Sequence, residues 1–192
     1  TYSQYYDKLY SAISRISTPF VVMADNDDFY FIEGIQKSVE FLEGNIEYAT
    51  CRGVSGGFII DSMRSHPGQG EVYGDNIQLV ISSEAPSITT DDPLERVDKH
   101  FGHYSPTFYD VHRTEDLKQS YEHLKSLAPD NVLIAELLTS FLTVAKGKVY
   151  RGDYLYLIRQ RVTSGNNSKL DRKKSGDYFN RMLADTWSDD FT

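Results

Sequence analysis

Five apolar residues at positions 20–24 run directly into a cluster of acidic and amide side chains, and this junction strongly constrains the fold. The run follows a Ser-Thr-Pro breaker at 17–19 and has the length of a strand buried on both faces of a parallel sheet. The cluster consists of Asp25, Asn26, Asp27 and Asp28. Open α/β sheets bind their ligands at the carboxyl ends of such strands. We therefore predict a functional site at this junction.

The carboxylates of this cluster predict a site for a divalent cation. Three carboxylates held close together repel one another unless a cation lies between them. Mg²⁺ and Mn²⁺ prefer oxygen ligands and commonly bridge to the phosphates of a substrate. The alternative is an acidic turn in which one Asp caps the following helix. An EF-hand loop is excluded, because its sixth position must be Gly and is Tyr30 when counted from Asp25.

Composition and charge restrict the partners and the compartment. The net charge of −8 argues against a nucleic-acid partner, because phosphate backbones require a basic surface. No window reaches the roughly 18 apolar residues of a transmembrane segment, and no signal peptide is found. The single cysteine, Cys51, suits a reducing compartment and lies in an apolar segment, where a small core residue is expected. We expect a cytoplasmic protein.

The order of the predicted elements indicates an α/β fold with a mostly parallel sheet flanked by helices. An amphipathic helix at 2–17 precedes the strand at 20–24, and a second amphipathic helix runs from Ile32 to Gly44. Further strands are predicted at 46–51, 54–60, 107–112 and 148–161, and further helices at 91–100, 114–127 and 130–146.

Two segments lack this periodicity. Residues 61–76 are rich in turn-forming residues and have the length of a functional lid. Residues 163–192 are predicted to be a flexible basic tail with a weak helix, so the domain occupies residues 1–162. Because the chain begins at Thr1 and enters a helix at once, we expect it to be a piece of a longer protein.

Most of residues 2–161 resemble family-2 glycosyltransferases, which have the GT-A fold. The segment TPFVVMADNDDFYF looks like the strand and the DXD motif of that family, and a helix, a strand and a Gly-containing strand follow in the family's order. The blocks ADNDDF, FYDVHR and ELL are similar to those of a small bacterial group of such domains. The family's first βαβ stretch binds the base of the donor, but here only one helix precedes the DXD strand. The resemblance therefore implies either that the base pocket lies in residues outside this sequence or that the chain is a reduced version of the family.

A second motif supports the resemblance. The family has an acidic pair that opens a late helix, with a glycine eleven residues after the second acid. Glu136 stands at the second position and Gly147 lies eleven residues after it, whereas Ala135 replaces the first acid. At a helix start the dipole is expected to favour the ionised form of Glu136.

The resemblance implies metal-dependent transfer of a sugar from a nucleotide-sugar donor to a carbohydrate or other hydroxyl acceptor, with inversion at the anomeric carbon. In such enzymes the DXD acids hold Mn²⁺ or Mg²⁺, which holds the diphosphate of the donor. Asp27 is the first choice of ligand and Asp25 the second, and Asp28 is a ligand, a water-mediated contact or the helix cap. Glu136 is the expected base that deprotonates the acceptor. Candidate substrate-binding residues are Asn26, His112, Arg113, Arg159 and Arg161.

Two other functions fit the same residues. A strand that ends in Asp-x-Asp also resembles phosphohydrolases of the haloacid-dehalogenase type, in which the first Asp, here Asp25, is the nucleophile. That Mg²⁺-dependent family has a small hydroxyl or β-branched residue two places after the second Asp, where this chain has Phe29. A non-catalytic carbohydrate-binding module with the same fold is the third hypothesis.

Overall fold

The structure is a computed structural model that describes residues 5–25, 28–60, 64–66, 70–72, 77–81, 85–129 and 132–160. The described helices are α1 (Tyr5–Ile13), α2 (Ile32–Gly44), α3 (Pro93–Gly102), α4 (Thr114–Leu127) and α5 (Val132–Lys146). The described strands are β1 (Phe20–Val22), β2 (Asp28–Tyr30), β3 (Tyr48–Ile60), β4 (Arg64–His66), β5 (Gly70–Val72), β6 (Ile77–Ile81), β7 (Val111–Arg113) and β8 (Lys148–Gln160). The predicted α/β class is confirmed. The predicted tail at 163–192 lies outside the described residues.

The main sheet is mixed, so the prediction of a mostly parallel sheet is wrong. Its strand order is β1-β7-β3-β8-β2, and β6 pairs with the second half of β3. Among the described pairings of this sheet, β3 and β8 run parallel and the others are antiparallel. The alternation of helices and strands along the chain indicates the α/β class. The direction of each strand depends on which neighbour it pairs with, and the sequence pattern does not show this.

Strand lengths and loops also differ from the prediction. The segments 46–51 and 54–60 form one strand, β3, and β6 was not predicted. The predicted strand at 107–112 is a turn up to the start of β7. Within the predicted lid at 61–76, the described residues form an antiparallel pair, β4 with β5.

Two apolar clusters hold the helices to the sheet. The first joins α1, α4 and α5, and its buried members include Tyr6 and Ile13 of α1, Leu117 and Tyr121 of α4, and Ala135 of α5. The second packs α2 on the sheet through Leu42, Cys51, Val111, Tyr156 and Leu157. Cys51 is buried, as predicted for a small core residue. Burying apolar side chains in this way contributes roughly 1.5–3 kcal/mol for each large residue.

Close backbone contacts explain two glycines. A Cβ atom at Gly34 in α2 would lie 2.5 Å from the carbonyl oxygen of Leu155, so the helix approaches β8 without a side chain between them. A Cβ atom at Gly147 would lie 2.8 Å from the backbone nitrogen of Ala49. The glycine after α5 is therefore required by the contact between the start of β8 and β3.

The helix ends follow local rules in part. Asp92 caps α3, because its side chain accepts a hydrogen bond of 2.9 Å from the backbone N–H of Leu94, and Pro93 opens the helix. α4 begins at Thr114, as the predicted range 114–127 has it, and its capping position is Arg113, whose side chain makes no capping hydrogen bond. None of the described helices is long and apolar enough to span a membrane.

Candidate functional site

A cavity of about 230 Å³ brings together two residues that the sequence predicts for the site. Asp25, which follows β1, and Glu136, from α5, both line it. Five lining side chains carry a hydroxyl group, namely those of Tyr6, Tyr109, Tyr121, Thr139 and Ser140, and Phe108, Leu124 and Ala135 complete the wall. We call this space the acidic cavity, because its two ionisable carboxyl groups lie far apart in sequence and meet only here.

Asp25 is held by a tyrosine and an arginine. The Tyr109 hydroxyl donates a hydrogen bond of 2.6 Å to Oδ2 of Asp25, and Nη2 of Arg159 lies 3.4 Å from the same oxygen. The guanidinium of Arg159 also stacks over the Tyr109 ring, 4.0 Å from its centre. Burial and the bond to Asp25 raise the pKa of Tyr109, so this tyrosine stays a hydrogen-bond donor.

Asp28 faces the same arginine because of the strand register. Asp28 of β2 is the antiparallel partner of Arg159 in β8, and Nε of Arg159 donates a hydrogen bond of 2.7 Å to Oδ1 of Asp28. The backbone N–H of Asp25 donates to Oδ2 of Asp28 at 3.3 Å. Burial raises the pKa of Asp28, although Arg159 opposes this shift. The helix-cap alternative for Asp28 is wrong, because the cap of α2 is Phe31.

Glu136 lies in a different environment from the one expected. The described part of α5 already includes the four residues before Glu136, so Glu136 lies beyond the first turn, and the dipole argument for an ionised carboxylate is wrong. Burial raises the pKa of Glu136. The hydroxyl of Tyr104 donates a hydrogen bond of 3.1 Å to Oε1 of Glu136 and, with Arg159, opposes that shift. A carboxylate with a raised pKa is a stronger base.

The carboxylates fit a divalent cation in donor chemistry. Asp25 and Asp28 direct oxygens to one guanidinium at 3.4 and 2.7 Å, so the backbone already holds two carboxylates around a cationic group. Within the described ranges no group of three or more His, Cys, Asp or Glu side chains lies together as a metal site. Asp27, the first choice of ligand, lies outside those ranges, as do Asn26 and Arg161. Carboxylate oxygens are the ligands that Mg²⁺ and Mn²⁺ prefer.

Two predicted substrate contacts lie away from the acidic cavity. His112 is 1% exposed, and its Nε2 donates to the Thr107 carbonyl oxygen at 2.6 Å. Arg113 donates to the carbonyl oxygens of Leu42 and Asn45 at 2.7 and 3.0 Å, so it closes the end of α2. Neither side chain lines the cavity. Both residues belong to β7, which lies between β1 and β3 in the sheet, so the strand pairing fixes their positions away from the cavity.

Sequence reasoning missed Tyr104 and Tyr109. Tyr109 belongs to the same block, FYDVHR, from which His112 and Arg113 were selected. The available signal was an aromatic residue directly before the acidic Asp110 in that block. No signal in the sequence indicated Tyr104, because the hydrogen bond from Tyr104 to Glu136 joins residues that are 32 positions apart.

Comparisons with known proteins add no family to this geometry. The chain matches no model of a known protein family, and a search of curated proteins finds no match.

Proposed function

We propose that the chain is a metal-dependent glycosyltransferase of GT-A type that transfers a sugar from a nucleotide sugar to an acceptor hydroxyl with inversion. The observation that carries the proposal is the acidic cavity, where Asp25 of the DXD segment and Glu136 of α5 line one space. A donor site and a base must face the same reacting carbon, so this juxtaposition is what such a reaction needs.

The donor side of the proposed site is the acid–arginine cluster. Asp25 and Asp28, together with the predicted ligand Asp27, would hold Mn²⁺ or Mg²⁺, which when bound neutralises charge on the leaving diphosphate as a Lewis acid. Arg159 is oriented by Asp28 and by the Tyr109 ring. Its planar guanidinium suits a diphosphate oxygen, which gives it a role in holding the donor.

The acceptor side is Glu136 and the aromatic wall. As the acceptor oxygen forms its bond to the anomeric carbon and the bond to the diphosphate oxygen breaks, Glu136 takes the acceptor's proton. Burial raises the pKa of Glu136, which brings its basicity nearer to what proton abstraction at neutral pH requires. Tyr6, Phe108 and Tyr121 offer ring faces of the kind that pack on sugars.

The test separates donor binding from transfer in the full chain. We would measure thermal unfolding with Mn²⁺ or Mg²⁺ and UDP, GDP or CDP, and sugar transfer from the matching nucleotide sugars. A nucleotide at about 100 times its dissociation constant stabilises by roughly 2.7 kcal/mol, or several degrees. This shift is expected in wild type and Glu136→Gln and is lost in Asp25→Asn. Transfer is expected to fall by about 10²–10⁴-fold in Glu136→Gln.

The test has one control variant and three outcomes that would contradict part or all of the proposal. Glu122→Gln changes an exposed glutamate of α4 and is expected to behave as wild type. Equal loss of nucleotide binding and transfer in Glu136→Gln would remove Glu136 from the role of base. Hydrolysis of a phosphate ester without a nucleotide sugar, abolished in Asp25→Asn, would instead support a phosphohydrolase. Sugar binding that survives both chelation and Glu136→Gln, without transfer, would support a binding module.

A further inference from the structure

One face of the main sheet carries a continuous set of apolar side chains. Phe29 of β2 is the partner of Ile158 in β8, and Gly56 of β3 is the partner of both Ile158 and Ile81 of β6. Partner residues on neighbouring strands, and alternate residues along one strand, point to the same face of a sheet. We call this face the apolar face. Its apolar residues are Phe29, Phe58, Ile77, Leu79, Ile81 and Ile158.

The apolar face is open to solvent. Four of its six residues are 60% to 80% exposed. The rings of Phe29 and Phe58 lie 5.9 Å apart between centroids, so the face continues from β2 over β8 to β3. The opposite side of the same strands carries Tyr30 and Leu157, which pack in the cluster that joins α2 to the sheet. A contiguous exposed apolar surface of this kind marks an interaction site.

The sequence after β8 contains a segment that fits this face. Segment 176–187, which lies outside the described residues, reads GDYFNRMLADTW. Its apolar residues have the spacing i, i+3, i+4 and i+8, which predicts a helix with one apolar side. They are Phe179, Met182, Leu183 and Trp187. Such a helix gains most of its stability by packing its apolar side on another element, and the apolar face offers that surface.

The end of β8 brings this segment within reach of the face. Gln160, the last residue of β8, is the partner of Phe58, so the chain leaves the sheet at the apolar face. The 15 residues at 161–175 precede the segment. A flexible coil of that length spans roughly 20 Å. The four strands that form the face are together about 15 Å wide. A connection of this length corresponds to a local concentration of roughly millimolar, which favours the segment over a second copy of the chain.

We propose that the apolar face is the docking surface for segment 176–187 of the same chain, which packs on it as an amphipathic helix. Docking covers the second side of the sheet, so the domain has three layers with α2 and the segment on opposite sides. None of the six residues of the apolar face lines the acidic cavity, so the docking is independent of the proposed glycosyl transfer.

The experiment uses the fluorescence of the full chain. Trp187 is the only tryptophan, so its emission reports on the segment alone. We expect Trp187 to be protected from quenching by acrylamide at every protein concentration, with NMR contacts between its ring and the methyl groups of Leu79 and Ile81. Quenching equal to that of free tryptophan would overturn the proposal. Protection that appears only when the chain dimerises in sedimentation would also overturn it, because the occupant would then be a second copy.

Matched variants test whether the apolar face is the surface involved. Leu79→Thr combined with Ile81→Thr removes two apolar side chains but keeps residues that suit a strand. This face variant is expected to raise the quenching of Trp187 severalfold. The control, Leu94→Thr combined with Ile46→Thr, removes two comparably exposed apolar side chains outside the face and should leave the quenching unchanged.

A second pair of variants changes the segment instead of the sheet. Leu183→Ser removes an apolar side chain from the segment, and it is expected to release Trp187 even if the face variant does not fold. Asp185→Asn changes a polar residue of the same segment and should not release it. Unchanged quenching in the folded face variant, or in Leu183→Ser, would overturn the proposal.

Discussion

The acidic cavity and a second cavity, of about 300 Å³, differ in the side chains that line them. We call the second one the basic cavity, because Lys99, His100, His103 and Arg151 line it. The first combines Asp25 and Glu136 with aromatic walls, and the second combines Arg151 and His100 with hydroxyls. The chain carries a net charge of −8, so its overall charge would not have predicted a basic cavity. Local potential depends on which side chains the fold brings together, and net charge describes only their sum.

The loop between α3 and β7, residues 103–110, contributes residues to both cavities. Tyr109 lines the acidic cavity and holds Asp25, whereas the next residue, Asp110, pairs with Arg151 in the wall of the basic cavity. Tyr104 donates to Glu136, and the following residue, Ser105, lines the basic cavity. Neighbouring residues of this loop therefore act on different cavities, and substitutions in it can separate their contributions.

The largest effect is expected from Asp110→Asn, which removes the buried charge between Arg52 and Arg151. Breaking a buried ion pair by neutralising one partner costs about 3–5 kcal/mol of unfolding free energy, because the remaining charges stay buried. Chemical denaturation measures this loss. Asp116→Asn is the matched control, since Asp116 pairs with Lys146 at 3.2 Å near the surface and should contribute at most about 1 kcal/mol. Similar losses in both variants would mean that the Asp110 cluster is not specially buried.

A smaller effect is expected from the titration of His100. Burial, assisted by Arg151 and opposed by Asp110, lowers the pKa of His100 from 6.5 to about 4. The folded state therefore favours the neutral ring, and the resulting stability is present above pH 6.5 and is lost as the pH falls towards about 4. The loss attributable to His100 is roughly 3 kcal/mol.

Acid-unfolding curves of wild type and His100→Phe test this expectation. The variant should lose less stability than wild type over that pH interval, whereas His123→Asn should follow wild type. A variant with the same pH dependence as wild type would show that His100 titrates normally and that the basic cavity does not disfavour its protonation.

Tyr104→Phe is expected to affect the acidic cavity alone. The lost hydrogen bond to Glu136 should cost about 1 kcal/mol of unfolding free energy. Because that bond lowers the pKa of Glu136, its removal should move the acidic limb of the rate profile of the proposed transfer to higher pH. Tyr154→Phe loses a comparable hydroxyl bond, of 2.8 Å to Ser38, and should destabilise without moving the profile. Identical rate profiles in Tyr104→Phe and wild type would show that the hydrogen bond from Tyr104 does not affect the pKa of Glu136.

The smallest expected effect is a gain in stability of Glu136→Gln at neutral pH. Because burial raises the pKa of Glu136 above its unfolded value of 4.5, its contribution to stability is complete below that pH and is lost as the pH rises through the folded pKa. Gln does not ionise, so the variant should be more stable than wild type at pH 7 and equally stable in acid. Glu122→Gln should show no such difference. If Glu136→Gln were less stable than wild type at pH 7, the ionised carboxylate of Glu136 would have to be stabilised by its partners in the folded state.

The strand–acid junction and the helices could be predicted because their signals are local. Apolar periodicity located α2, α4 and α5 to within a few residues, and the helix predicted at 91–100 lies within two residues of α3 at both ends. His112 and Arg113 lie away from the acidic cavity, which the sequence did not indicate, because polarity alone does not show whether a side chain will find carbonyl partners inside the fold. Both residues do find such partners.

The sequence by itself determined the α/β class, the positions of the helices and two candidate site residues, Asp25 and Glu136. Only the tertiary structure decided that the sheet is mixed, that these two carboxyl groups share a cavity, and that Lys99, His100 and Arg151 line a second cavity. The physical reason is range. Helix periodicity and capping act between residues a few positions apart, whereas strand pairing, burial and the pKa shifts they cause depend on contacts across the whole chain.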